Sequence, residues 1–332
     1  MSTEPTDPNG RTGRPGRAGR TGPIIETKEL VRDYKKLRAV DHVSFRVEPG
    51  EAVGYIGANG AGKSTTIKML TGILKPTSGH VRTCGLDPMR QRVEVARRVG
   101  VVFGQRSQLW WDLPVHDSFR LLAAIHGLPA ERARSRREEL VERLEIGEFL
   151  TTPVRQLSLG QRMRVEIAAA LLHSPRLVIL DEPTIGLDVL SKQRLREFLI
   201  AERREQGTTL MLTTHDMGDV ERLCDRILVV DHGRLAYDGT LTGLSRAVGA
   251  QRVLVVDLDR PTPDLVGIRD TRHLVSQGHG LRQELAFDSE RTTAAQVLAA
   301  VTEQAQVVDL AVREPDIEDV VRRLYAASRS AP

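Results

Sequence analysis

The sequence predicts an α/β protein built around a phosphate-binding loop, and three observations lead there. The run Gly57-Ala58-Asn59-Gly60-Ala61-Gly62-Lys63-Ser64-Thr65 fits the pattern glycine, four residues, glycine-lysine-serine. Its flanks agree: residues 52–56 are a short apolar run and residues 64–70 read as an opening helix. That strand–loop–helix order aims a helix N-terminus at whatever the loop holds. Further on, residues 177–180 are all apolar, as in a strand buried on both faces, and residues 99–103 form another compact apolar run.

The loop's composition follows from the charge it must hold. The β- and γ-phosphates of a nucleotide crowd several negative charges together. Holding them takes backbone N–H groups that converge on one point, and glycine lets the backbone turn and approach that closely. Gly57, Gly60 and Gly62 supply the turns, Lys63 adds a positive charge, and the Ser64 hydroxyl is placed to hold a magnesium ion. The pattern points to a bound nucleoside triphosphate.

Composition sets outer limits. With 332 residues and 40% hydrophobic content, the chain can bury a sizeable core and favours two domains. It has no apolar run of about 18 residues, so no segment is expected to span a bilayer. Its start lacks the apolar core of a signal peptide, which gives the expectation of a cytosolic chain. Cys84 and Cys224 stand apart without metal-ligand spacing and are expected to be reduced and structural. The formal charge is +4, and Arg11, Arg14, Arg17 and Arg20 against Glu4 and Asp7 place half of it in the N-terminal tail. A basic, glycine-rich tail can touch nucleic acid or an anionic membrane. Residues 1–23 hold nothing large and apolar to bury, however, and are expected to be a disordered, solvated tail with no specific nucleic-acid partner.

Two strands are expected at 24–31 and 40–47, the second with Val43, Phe45 and Val47 on one face. Between them Tyr34 is either a base-stacking aromatic or an ordinary exposed loop tyrosine. Pro49-Gly50 turns the chain into the strand before the phosphate loop. After it come a turn at 75–79, a short strand at 81–83 and the run at 99–103, which ends at Gly104-Gln105. Trp110 and Trp111 follow, either as a buried core pair or as an exposed docking patch. Residues 117–150 become helical and highly charged: Asp117 is the expected N-cap of a helix through Ile125, and a second helix spans about 129–144. The charges read as a solvated face.

Ser158 and the N–H groups around Gly160 then form an anion site at the start of a helix over 162–173. Asp181-Glu182 closes the strand at 177–180, which places both acids beside the phosphate loop. Asp181 can hold magnesium through water there, and Glu182 can orient and deprotonate a water attacking the γ-phosphate. Gly186-Leu187-Asp188 turns into a helix over 189–206, and a strand at 208–214 ends at His215, where sheet residues meet ligand. A hairpin is expected around Asp231-His232-Gly233. Residues 250–327 read as a small α+β unit with strands at 253–258 and 281–287, helices at 292–303 and 316–327, and no catalytic constellation.

Together these residues resemble the ATP-binding subunit of an ATP-binding-cassette (ABC) transporter over about residues 24–244, through the order of their motifs. The phosphate loop comes first, then Gln105, the signature-like Leu157-Ser158-Leu159-Gly160-Gln161, Asp181-Glu182, Asp188 and His215. The resemblance implies a P-loop NTPase cassette: a parallel core sheet, an antiparallel β subdomain and a helical subdomain at about 115–175. Residues 245–332 would then be a C-terminal accessory α+β domain. It implies ATP and Mg2+ as cofactors, with Ala58, Asn59, Ala61 and Thr65 completing the nucleotide loop. Tyr34 would stack on adenine, Gln105 would sense magnesium and face a permease, and His215 would be the γ-phosphate switch. Ser158, Gly160 and Gln161 would clamp the γ-phosphate bound by another subunit, and Asp188 would communicate across that dimer. One departure is visible, Leu159 where the family pattern has the first of two glycines.

Within the family, residues 102–114 are similar to ABC-2-type export ATPases of the viologen-exporter group, and residues 314–320 to the end of drug-export ATPases. The expected role is to power a separate integral-membrane permease of ABC-2 type for export. The chain would sit peripherally at the cytoplasmic face of the plasma membrane, paired with a second copy or a paralogous cassette. The alternatives are the ATPase of an importer and a soluble ABC protein of translation or DNA repair. Against the latter, the chain has one cassette, and no sustained heptads lie between Thr65 and Ser158.

Overall fold

The structure is a computed structural model that describes residues 22–330, apart from Lys36, Gln105, Arg106 and His215. The expectations for Gln105, His215 and the tail up to residue 21 therefore lie outside the described residues. The chain opens with β1 (Ile25–Tyr34), β2 (Leu37–Val47), β3 (Ala52–Gly57), α1 (Lys63–Leu70), β4 (Ser78–Thr83), α2 (Arg92–Ala96) and β5 (Val99–Val102). A helical stretch follows, α3 (Val115–Ile125), α4 (Ala130–Arg143) and α5 (Leu159–Leu171). Alternation then resumes with β6 (Leu177–Asp181), α6 (Val189–Gln206), β7 (Thr209–Thr213), α7 (Met217–Leu223), β8 (Arg226–Asp231), β9 (Arg234–Gly239) and α8 (Leu241–Ala247). The last part holds β10 (Arg252–Leu258), β11 (Thr271–Gln277), β12 (Arg282–Phe287), α9 (Ala294–Thr302), β13 (Val307–Arg313) and α10 (Ile317–Ser330).

The central sheet has the order β5-β6-β7-β3-β8-β9, parallel throughout except for the β8–β9 hairpin. Every residue of β3 and β7 is buried, which is why these strands read as apolar runs without alternation. Only β7 separates β6 from β3, so the phosphate loop after β3 and the acids after β6 leave the same edge of the sheet. Ligands of open α/β sheets bind at this carboxyl edge. A second sheet, antiparallel in the order β2-β1-β4, shares a core with the first: Ile25, Leu30 and Phe45 pack with Val53, Tyr55 and Ile67.

The helical stretch has its core against the other side of the molecule, with Phe119, Leu140, Ile146 and Met163 meeting Leu180, Leu195 and Phe198. Asp117 is not the N-cap of α3. The helix begins at Val115 after Pro114, whose φ of −56° suits a helix entry. The first N–H groups of α3 find partners outside the helix, Val115 N–H on Thr152 O at 3.2 Å and His116 N–H on Leu150 O at 2.9 Å. With those donors satisfied by backbone, Asp117 sits in the first turn as a favourable charge. α5 likewise starts three residues earlier than expected, at Leu159, with Ser158 as its N-cap.

The last part forms its own antiparallel sheet, β11-β12-β10-β13, with α9 packed on Leu254, Val256, Leu285 and Phe287. Its outer strands β11 and β13 go beyond the two strands the sequence predicts: most of their residues are exposed, so neither needs an apolar run. α10 then returns to the central sheet and buries Val320 and Val321 with Ile56, Val220, Ile227 and Leu244.

One buried ion pair ties the helical stretch to the sheet side. Arg136 of α4 donates to the carboxylate of Glu202 on α6, with their side chains 7% and 0% exposed. Removing one member strands a buried charge, which costs far more than removing both. Arg136→Met is expected to lower the unfolding free energy by about 3 kcal/mol, and Glu202→Leu added to it should recover much of the loss. Chemical denaturation measures both; additive losses would show that the pair does not join α4 to α6.

Candidate functional site

The phosphate loop is held open by backbone that leaves no room for side chains. A Cβ on Gly57 would lie 2.5 Å from Val230 O. At Gly62 the φ is +103° and a Cβ would lie 2.3 Å from Ala39 O, so glycine is required there on both counts. The loop is braced further by Gly233 N–H on Ala61 O at 3.1 Å. No side chain caps the start of α1, which leaves its N-terminal N–H groups to face the loop's interior. Lys63 curls over the loop and donates to Gly57 O at 2.5 Å and Ala58 O at 3.1 Å. Burial pulls its ammonium below the ordinary lysine value, while the negative charges of Glu182 and Asp181 act in the opposite direction.

These residues face an open cleft of about 970 Å³ lined on one side by Asn59, Gly60, Gly62, Lys63, Ser64 and Thr65. Across it lie Asp181 and Glu182, with Tyr34 also in the wall. Tyr34 ends β1 and is 40% exposed, with the Arg32 guanidinium 4.7 Å from its ring centroid. It lies at a strand end in the cleft wall. Asp181 accepts a hydrogen bond from the Thr213 hydroxyl on the neighbouring strand. Glu182 donates its N–H to Thr213 O at 2.9 Å and has a φ of +56°, a left-handed conformation that costs a non-glycine residue energy. Such outliers concentrate where geometry serves function.

The signature-like residues are elsewhere. Ser158, Gly160, Gln161 and Asp188 do not line this cleft. Ser158 and Gln161 form a reciprocal cap, Ser158 Oγ accepting from Gln161 N–H at 3.2 Å and the Gln161 side chain accepting from Ser158 N–H at 2.9 Å. Leu159 packs so closely over Gly186 that a Cβ there would lie 2.3 Å from its Cδ2. Asp188 caps α6 through Ser191, whose hydroxyl and N–H hold its carboxyl below the usual range. Trp110 and Trp111 are 37% and 49% exposed, which corrects the core-pair alternative in favour of a surface patch.

Several neighbours carried no sequence signal. Lys192 pairs with Asp216 at 2.7 Å on the cleft wall. Asp219 is fully buried and accepts from Thr184 and Arg196, at 2.5 and 2.6 Å. Tyr325 of α10 reaches the Ala58 backbone, and burial pushes its hydroxyl up to about 12. Only Thr213 was recoverable in advance, since a threonine at a strand tip pairs in register with Asp181.

Residues 40–185 match the family model described as ABC transporter. The chain is 30% identical to the linearmycin resistance ATP-binding protein LnrL of Bacillus subtilis (strain 168) over 300 residues, covering 89% of this chain and 96% of that one. It is 37% identical to the Nod factor export ATP-binding protein I of Paraburkholderia xenovorans (strain LB400) over 252 residues, 74% of this chain and 79% of that one. Among solved structures, the dimeric post-hydrolysis ATP-binding cassette MJ0796 bound to ADP and Pi superposes with a TM-score of 0.60 at 27% identity, covering 65% of this chain and 98% of that one. Sequence and fold meet in one family, and the chain belongs to the ABC transporters as an ATP-binding, ATP-hydrolysing member.

Proposed function

We propose that this chain powers a separate permease of ABC-2 type that exports a drug-like or other small molecule. It would work as one of two cassettes, held by the permease at the cytoplasmic face of the plasma membrane. One observation carries the catalytic part: the phosphate loop and the Asp181-Glu182 pair line the same cleft. In it, the Lys63 ammonium exchanges the carbonyls of Gly57 and Ala58 for phosphate oxygens, and the open start of α1 adds N–H donors. Tyr34 offers its ring face to adenine.

Ser64 and Asp181 line one cleft with the phosphate loop and would hold Mg2+. When bound, such an ion would supply positive charge against the phosphates. Thr213 fixes the Asp181 carboxylate in place. Glu182 orients the attacking water and takes its proton on a carboxylate oxygen. Ser158, Gly160, Gln161 and Asp188 lie off their own cleft, which supports their use by a partner cassette, and the solved relative above is a dimer. Gln105 and His215 keep the roles the resemblance implies.

Export rests on the relatives named for Nod factor export and linearmycin resistance. No helix among the described residues is long and apolar enough to cross a membrane, and this reading assigns the pore to another chain. Trp110 and Trp111 form the exposed patch offered to it.

Glu182→Gln keeps size and polarity while removing the base, so turnover should fall by about a hundredfold or more with ATP still bound. The variant should then run as an ATP-held dimer on gel filtration; turnover near wild type would remove Glu182 from the mechanism. Co-expression with a candidate permease tests the partner. Trp110→Ala/Trp111→Ala should reduce the fraction sedimenting with membranes while ATP binding is retained, and undiminished sedimentation would move the docking surface elsewhere.

A further inference from the structure

Glu166 is a charged group that the ATP chemistry leaves unused. It lies on α5 about two turns from Ser158 and is only 4% exposed. A buried carboxylate is costly unless its oxygens are satisfied. Here the donors come from a different part of the chain, the loop that follows β5. The Ser107 hydroxyl donates to one oxygen, and Gln108 N–H to the other at 3.3 Å. The Gln108 side-chain amide donates back to the Glu166 carbonyl at 3.0 Å. Burial pushes the carboxyl above its ordinary range, and the hydrogen bonds from Ser107 and Gln108 pull it back.

The same loop is fastened again further along. The Arg162 guanidinium sits 5.5 Å from the Trp111 ring centroid, one turn of α5 from Ser158. Arg155 N–H donates to Trp111 O at 3.0 Å, and the Arg155 side chain pairs with Asp112 at 3.4 Å. The loop is therefore bonded to the stretch that carries the signature at both of its ends. Packing alone would be met by an apolar side chain at position 166. A carboxylate instead fixes one orientation of the loop on the helix.

We propose that Glu166 is a positioning residue that pins the loop at Ser107 and Gln108 to α5, so that the loop's seating sets the orientation of Ser158 towards the partner cassette's nucleotide. The proposal rests on the reading of this chain as a dimeric ATPase. Through this pin, a contact made at Trp110 and Trp111 turns the helix that starts at the signature. The phosphate loop, on another element, is not touched.

The test uses the full chain in a Glu182→Gln background and reads the ATP concentration that gives half-maximal dimer by sedimentation. Adding Glu166→Ala should raise that concentration about tenfold, the loss expected for hydrogen bonds to a buried charged group. Ser107→Ala, at an exposed position, should raise it about threefold without risk to folding. Glu166→Gln should restore closure, because its amide can accept from Gln108 N–H and donate to Ser107. Affinity of the monomer for a fluorescent ATP analogue should stay within about twofold throughout. Unchanged closure in both Ala variants, failure of Gln to restore it, or an equal loss of analogue affinity would each overturn the pin. Absence of any ATP-held dimer with Glu182→Gln alone would instead overturn the dimeric-ATPase reading.

Discussion

Everything in this cassette is arranged around the demand that backbone N–H groups converge on phosphate charge. Convergence needs a loop drawn in tightly, and the tightness is visible in what stands where side chains would be. Val230 O occupies the place of a Cβ on Gly57, and Ala39 O the place of a Cβ on Gly62. Those two carbonyls belong to the central sheet and to the antiparallel sheet beside it. The loop is thus the joint between the two sheets, and the Gly233 N–H on Ala61 O adds a third brace from the β8–β9 turn. A loop held this way is preorganised, which is how electrostatic stabilisation avoids a reorganisation cost at the moment of reaction.

The acid side follows from the strand order. Because only β7 intervenes between β3 and β6, the acids reach the loop across a single strand, and that strand contributes Thr213 to fix them. The left-handed Glu182 backbone shows the cost of presenting the second acid there. By contrast, Ser158 and Gln161 at the start of α5 cap their own helix and do not line the cleft. The loop from Ser107 to Trp111 and α10 touch the two halves separately, one at α5 and the other at Ala58.

What the sequence reveals of this fold divides along physical lines. The parallel strands are legible because burial on both faces leaves only apolar residues to place there. The phosphate loop is legible because its glycines answer a steric requirement that no other residue meets. The strands β11 and β13 are not, since they are mostly exposed and carry no period that distinguishes them from loop. Trp110 and Trp111 suit a core or a surface equally, and only their 37% and 49% exposure decides. Asp117 misled because capping residues compete with backbone: Thr152 and Leu150 supply the partners a cap would have supplied. Glu166 and Tyr325 are invisible for a different reason, as their partners lie far away in sequence and only the fold brings them together.

In the proposed dimer each ATP site is completed by a second chain. Lys63→Ala breaks the phosphate-loop half, and Ser158→Arg breaks the signature half, so either homodimer has two defective sites and should be inactive. Mixed and allowed to exchange, half the dimers are heterodimers in which both defects fall in one site and the other is intact. The ATPase rate of the mixture should then recover to at most roughly a quarter of wild type. No recovery at any mixing ratio would contradict a shared site.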